Sequence, residues 1–402
     1  MNASIPYKLS NRVQRYAWGK HGQDSLIHRL LGSNDTGTLA AELWIGAHSS
    51  APSELITEKG NVRLDEAIAR QPNAWLGERV VQKFGASLPY LFKVLSVRTA
   101  LSIQAHPDKQ LAAELHAADP VHYPDANHKP EMAIAVTDVE VLYGFREIKE
   151  IQNFFSIHKP LEALLSPAMR KRLLESSALE GDRDLLRDLC FEIFHATEGD
   201  LRKCTSELTM SLRSKTVEAP EERWFLSLSD EYPGDVGLLC FFLLNFISMK
   251  PGEALFVGPN TPHAYLRGDL LECMASSDNV VRAGLTNKYK DVETLLKMLH
   301  FRTASAELIV PVPSREGKNA WRYPAPALEF FVELLSSSSA ESWALDNQSA
   351  AMLFCFEGKG KLESANDHLA IGTGEAIFVP ATCPPVTLAS PGGKFYHVHV
   401  PH

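Results

Sequence analysis

Residues 252–263 read "GEALFVGPNTPH", and residues 374–385 read "GEAIFVPATCPP", aligning without a gap. Gly-Glu-Ala, an apolar strand, a turn containing proline and a second strand make the hairpin unit of a small β-barrel. Two copies in one chain predict two related barrels. The copies diverge where chemistry would begin, since the first ends in His263 and the second in Pro385.

The texture between the copies shows how the first barrel is interrupted. Runs such as "AELWIGAH", "LPYLFKVLSV", "ALSIQAH", "EMAIAV" and "VEVLYGF" in residues 1–145 are short, apolar and bounded by turn formers, as strands are. From about Arg146 the apolar residues fall at three-to-four spacing with charges between them, which predicts helices over 147–249. Strand texture then returns. The fold class expected is mainly β with a helical insertion: a barrel built from 1–146 and 250–320, helices over 147–249, and a second barrel over 321–402. The run "VGLLCFFLLNFISM" (236–249) is too short to span a bilayer and predicts a buried helix.

Bulk properties narrow the function classes. A net charge of −9 over 402 residues, with no dense Lys/Arg cluster, argues against a nucleic-acid surface. Six scattered cysteines give neither a CxxC zinc site nor a disulfide framework, and the first residues carry no apolar leader region. A cytoplasmic protein with no membrane partner is expected.

The polar residues on predicted strands carry the chemistry. Ser102, Gln104 and His106 alternate in "LSIQAHPDK" and so share one strand face. His128 and Glu131 bracket Lys129 and Pro130 in "NHKPEM", and His263 and Tyr265 share a face in "TPHAYL". Two histidines, a carboxylate and an amide from separate strands suit a mononuclear site with N and O ligands and open positions. "LLECMASSDNVVRAGLTNKYKD" then places Glu272, Asp278, Arg282 and Lys288 shortly after His263, in a pattern suited to lining a pocket.

In this order, "YAWG", "AELWIGAH", "LPYLFKVL", "LSIQAHPDK", "NHKPEM", "GFRE", "TPHAYL" and "SDNVVRAGLTNKY" resemble the type I mannose-6-phosphate isomerases. The resemblance runs over the whole chain. It implies two cupin-type barrels with an inserted helical domain, and one zinc ion held by Gln104, His106, Glu131 and His263. It further implies a pocket of Trp18, Glu42, Lys93, Ser102, His128, Lys129, Tyr265, Glu272, Asp278, Arg282 and Lys288. Asn287 departs from the proline common in the family before this lysine, a matter of loop rigidity. The second barrel has no counterpart of QxH or HKPE, so it is expected to lack metal.

The activity implied is reversible conversion of mannose 6-phosphate to fructose 6-phosphate through an enediolate, by a monomer acting on a small sugar phosphate. Glu272 is the first candidate for the proton-transferring carboxylate and Asp278 the second. Arg282, Lys129 and Tyr265 complete the expected catalytic group. Lys93 and Ser102 are expected at the phosphate, with Arg282 nearby, and Leu270 and Met274 are expected to bury Glu272. No GxxxxGK[ST] loop is present, so nucleotide phosphates are not expected. A metal-dependent oxygenase and a non-catalytic sugar-binding protein are the alternatives.

Overall fold

Four strands carry most of what positions the site: Glu42–Gly46, Tyr90–Val97, Glu131–Ala135 and His263–Ala275. They pair antiparallel, with Trp44 opposite Lys93, Lys93 opposite Glu272, and Glu272 opposite Ala133. Their residues are buried on both faces, where a half-solvated sheet would alternate. One face packs Phe92, Val94, Met132 and Leu271 into a core shared with Met352, Phe354, Tyr396 and Val398 of a second sheet. The Phe92 and Phe354 rings lie 5.8 Å apart between their centroids. The opposite face carries Glu42, Trp44, Lys93, Glu131 and Glu272, because directly opposed residues and residues two apart share a face. This computed structural model describes residues 2–35, 37–176, 182–303, 306–365 and 367–401; residues 177–181 of the expected helical segment lie outside them.

Among the described residues the strands form a 10-stranded sheet, which includes the four above, a 12-stranded sheet and a two-stranded ribbon. The repeated sequence is also a repeated backbone. Gly252 and Gly374 both turn through positive φ, 90° and 81°, where a side chain is strained. Each donates its N–H over 2.8 Å, Gly252 to Ala135 O and Gly374 to Cys355 O. The Glu253 carboxylate accepts the Lys250 N–H (2.7 Å), and the Glu375 carboxylate accepts the Gly372 N–H (2.8 Å). Register then matches the two units residue by residue. Glu131 opposite Val257 corresponds to Ala351 opposite Val379. The pair Lys93–Glu272 corresponds to Glu333–His397. The position of Glu131 in the first unit is thus an alanine in the second.

Between Ala135 and Ala254 the helices lie inside a hairpin of the strands Val139–Phe145 and Leu244–Met249, whereas the matching span from Cys355 to Ala376 closes as one hairpin without them. Thr197 caps the helix Glu198–Arg213, and Ser166 caps Pro167–Glu175. Leu189, Leu208, Phe225 and Phe242 are among the residues of their common core.

Three expectations need correction. Residues 236–249 are buried but are not one helix. A 3₁₀ turn (Val236–Leu239) and a short helix (Cys240–Leu243) give way to the strand Leu244–Met249, which pairs with Val139–Phe145. The strand Tyr7–Ser10, expected in the first barrel, pairs with Ala376–Val379 of the second sheet. Residues 1–145 also hold helices, among them Leu64–Arg70, Glu78–Phe84 and Lys109–Ala118. No helix among the described residues is long and apolar enough to cross a membrane, and all six cysteines are buried and free of disulfides.

The pair Glu333–His397 is a buried polar cluster within the second unit. Burial alone would push the Glu333 carboxyl up, but hydrogen bonds from His397 (3.4 Å), Arg315 (2.6 and 2.8 Å) and Ser314 bring it down to about 2. A carboxyl lowered on folding stabilises the native state above its unfolded value of about 4.3, and that contribution disappears as pH falls towards 2. The urea midpoint of the second unit is expected to hold steady above about pH 4.5 and to drop steadily below it. Glu333→Gln should flatten that drop; an unchanged acid limb would assign it to other carboxylates.

Candidate metal centre and active site

His106, Glu131 and His263 are each buried and offer ligand atoms within 4.8 Å of one another. They arrive from three directions. His106 follows the short strand Ile103–Ala105, Glu131 opens its strand after Pro130, and His263 opens the long strand His263–Ala275. The loop between the repeat strand and His263 is fixed by Asn260, whose N–H donates to His106 O over 2.7 Å and whose side chain reaches Asp108 (3.2 Å). Asn260 takes φ 59°, a left-handed conformation that asparagine tolerates.

Both histidines have one nitrogen committed. His106 Nδ1 lies 2.7 Å from Asn279 O, and His263 Nδ1 lies 3.1 Å from Thr261 O. A carbonyl can only accept, so each Nδ1 carries the proton and each Nε2 presents a lone pair. Those two Nε2 atoms are buried without a hydrogen-bond partner. They face Glu131, at 3.1 Å from Oε1 for His106 and 3.6 Å from Oε2 for His263. Burial pushes the His106 imidazolium down to about 4, which keeps the ring neutral. Burial would raise the Glu131 carboxyl, but Lys129 and the two histidines outweigh it and hold it well below the usual range. Two imidazole nitrogens and an ionised carboxylate make a donor set that fits a divalent cation of borderline softness.

Gln104 and Arg282 sit beside this centre. Gln104 is opposite both His263 and Arg282 in register, so the three side chains share a face. Ser102 Oγ contacts Gln104 Oε1 at 3.4 Å, as alternation predicts. Tyr265 donates to Glu131 Oε2 over 3.4 Å, and Lys129 Nζ lies 3.0 Å from Glu131 Oε1.

The second half of the site is a row of charges along the strands. Lys93 Nζ stands 3.1 Å from Glu272 Oε2 and 3.4 Å from Glu42 Oε2, over the Trp44 ring at 4.9 Å. Trp44 Nε1 donates to Glu42. Burial would lower the lysine, yet Glu42, Glu272 and Glu131 hold it above its ordinary value. Burial raises Glu272, with Lys93 opposing; Leu270 and Met274, two residues to either side on the same face, are themselves buried. Glu272 is therefore an enclosed carboxylate with a single paired cation at 3.1 Å, poised nearer neutrality than a surface glutamate.

The remaining expected residues are more scattered. Asp278 lies at the rim, 3.5 Å from His48 Nε2 and 3.2 Å from Ser50 Oγ, on a cavity of about 370 Å³ that His48, Asp125 and Ser276 also line. His128 leaves the pocket to pair with Glu329 (2.7 Å) near the second sheet. Trp18 is half-buried against the apolar interior of the first unit, and Lys288 is exposed. The expectation that Lys93 binds phosphate does not suit its surroundings, because two carboxylates within 3.4 Å would repel a second anion. Arg282 is half-buried and, among the described residues, in no ion pair; burial lowers its basicity while leaving it charged. His48, Trp44, Asn260 and Asn279 were not singled out from the sequence. Trp44 and His48 left a signal there, since both alternate with Glu42 in "AELWIGAH".

Residues 7–148 match the family model "Phosphomannose isomerase type I, catalytic domain". The chain is 38% identical over 389 residues to mannose-6-phosphate isomerase 1 of Arabidopsis thaliana, covering 93% of this chain and 89% of that protein. It is 37% identical to the mannose-6-phosphate isomerase of Rattus norvegicus, covering 93% of each. Among solved structures, a variant phosphomannose isomerase from Salmonella typhimurium superposes with a TM-score of 0.87 at 34% identity, covering 98% of this chain and 99% of that one. A zinc-bound mannose 6-phosphate isomerase gives 0.86 at 34% identity, over 99% and 100%. With this likeness running through fold and sequence alike, the chain belongs to the type I phosphomannose isomerases.

Proposed function

We propose that this protein interconverts mannose 6-phosphate and fructose 6-phosphate at one zinc site, within the first of two cupin-type β-barrels. The observation that carries the reading is the pair of orphaned Nε2 atoms converging on the ionised Glu131, beside a buried carboxylate with a raised pKa. His106, Glu131 and His263 would hold the ion, with Gln104 adjacent as a neutral oxygen donor. When bound, a divalent cation polarises the sugar's oxygens as a Lewis acid.

The protein's own groups do the rest. Glu272 accepts the C2 proton of the open-chain aldose and returns it to C1, while the O2 hydroxyl proton passes to O1. Lys93, held by Glu42 and Glu272, keeps a positive charge beside that carboxylate through both transfers. Lys129 and Tyr265, both touching Glu131, are placed to stabilise negative charge developing on O1 and O2. The phosphate is assigned to the Arg282 side, with Ser102 and Lys288, because Arg282 is a cation with no carboxylate partner among the described residues. A guanidinium there offers bidentate recognition.

The test is turnover followed by NMR, with zinc measured on the same sample. One zinc per chain and conversion of mannose 6-phosphate, with unphosphorylated mannose a far poorer substrate, are expected. Equal use of free mannose, or a zinc-loaded protein that leaves the phosphate ester unchanged, would overturn the assignment.

A further inference from the structure

Leu285 lies between the two cations assigned to the phosphate and has φ 54°. Among the described residues only Asn260 shares such a backbone without being glycine. A left-handed conformation is disfavoured for leucine and persists only where the surroundings impose it. The side chain is buried, at 2% exposure, so this is no surface turn free to relax.

What imposes it comes from the helical segment. Asp235, at the start of the 3₁₀ turn Val236–Leu239, turns its carboxylate on the loop. Its Oδ1 accepts the Leu285 N–H (2.9 Å) as well as the Gly237 N–H (2.8 Å), and its Oδ2 receives Lys290 Nζ (2.9 Å). The Asp235 side chain is 11% exposed, so these bonds are largely shielded from water. The two backbones meet directly. A Cβ built on Gly284 would fall 2.5 Å from Gly237 Cα, and one on Gly237 would fall 2.7 Å from Leu285 N. Gly284 is opposite Ile103 and Arg282 is opposite Gln104, so the clamped backbone directly continues the strand that carries Arg282 beside the metal ligands.

The three cations of this loop are treated differently. Lys290 is tied to Asp235, while Arg282 and Lys288 form no ion pair among the described residues. We propose that Asp235 is a positioning residue through which the helical segment holds loop 282–290 in the strained form that presents Arg282 and Lys288 to the substrate's phosphate. The proposal rests on the phosphate assignment above and extends it to a group that never touches substrate.

Asp235→Ala should raise KM for mannose 6-phosphate and the inhibition constant of inorganic phosphate together, each by about tenfold, the range for losing a hydrogen bond to a charged group. The value of kcat should change by less than about threefold and zinc content not at all, the signature of lost uniform binding. Asp235→Asn keeps an oxygen that can accept from Leu285 and Gly237, and should return both constants to within about threefold of the parent. Should the alanine variant not fold, Asp235→Glu shifts the carboxylate by one methylene and should raise both constants several-fold, by about 1 kcal/mol or less. Arg282→Ala run in parallel separates the two readings. If it leaves KM and phosphate inhibition unchanged, the phosphate assignment is wrong. If it raises both while Asp235→Ala or Asp235→Glu does not, the clamp is wrong. Loss of zinc, or a fall in kcat at constant KM, in a folded Asp235 variant would likewise overturn the clamp.

Discussion

His263→Ala is expected to abolish zinc retention and, with it, nearly all turnover. The imidazole is fully buried, its Nδ1 is committed to Thr261 O, and its Nε2 makes no hydrogen bond and faces Glu131 Oε2 at 3.6 Å. Removing it deletes one of two nitrogen donors and leaves Glu131 facing a void that water fills poorly as a ligand. Lewis-acid polarisation is worth several kcal/mol, so turnover should fall on the order of 10³-fold or more. His106→Ala should behave alike, and Gln104→Ala more mildly, since an amide oxygen is a weaker donor. Zinc measured after dialysis, alongside turnover, decides the matter. Full occupancy in both histidine variants would mean that the ion sits elsewhere.

The convergence of His106, Glu131 and His263 was legible because each belongs to a short local pattern, and alternation on a strand says which residues share a face. The duplicated unit was legible for the same reason: "GEALFV" and "GEAIFV" encode the same turn with its positive-φ glycine. What the sequence hid depends on partners distant along the chain. Residues 236–249 read as one apolar run, and periodicity alone does not separate a buried helix from a buried strand. Pairing with Val139–Phe145 decides the second half. Lys93 looked like a phosphate ligand until register set Glu272 directly opposite and Trp44 on its other side. Asp235 gave no signal, because its partners are a backbone N–H and a lysine some fifty positions away in the chain, brought near by the packing of Gly237 on Gly284.

The same register sharpens what the second unit has lost. Glu131 becomes Ala351, and Lys93–Glu272 becomes Glu333–His397, with the carboxylate on the other strand of the pair. In the first unit the buried cation is the lysine and the raised carboxylate waits beside it. In the second, hydrogen bonds from His397, Arg315 and Ser314 outweigh burial and bring the carboxyl down to about 2. That carboxylate stands where the first unit has Lys93, and His397 stands where it has Glu272, so the second unit has no carboxylate at the position of the proposed base.

That contrast gives the test of Glu272. If Glu272 carries the proton from C2 to C1, the hydrogen passes through a group able to exchange with water, and turnover in D₂O should place deuterium at C1 of fructose 6-phosphate. A direct hydride shift would leave no label. Glu272→Gln preserves shape and a hydrogen-bonding contact to Lys93 but cannot accept the proton. Turnover should fall by roughly 10²–10⁴, the range for general acid–base catalysis, with zinc unchanged because Glu272 stands outside the His106–Glu131–His263 set. The acid limb of kcat/KM in the parent should lie above the ordinary glutamate value, since burial raises this group despite Lys93, and activity should be lost as pH falls through it. Lys93→Met tests the coupling. It removes the one cation in contact with Glu272, so the acid limb should move further up, towards neutral pH. If the limb instead stays in place, Lys93 does not set the protonation of the base. Near-parental turnover in Glu272→Gln would transfer the role to Asp278, whose exposed rim position beside His48 makes it the weaker base for a water-excluded step. Unlabelled product from an enzyme that Glu272→Gln still cripples would point to a hydride route in which Glu272 moves the hydroxyl proton alone.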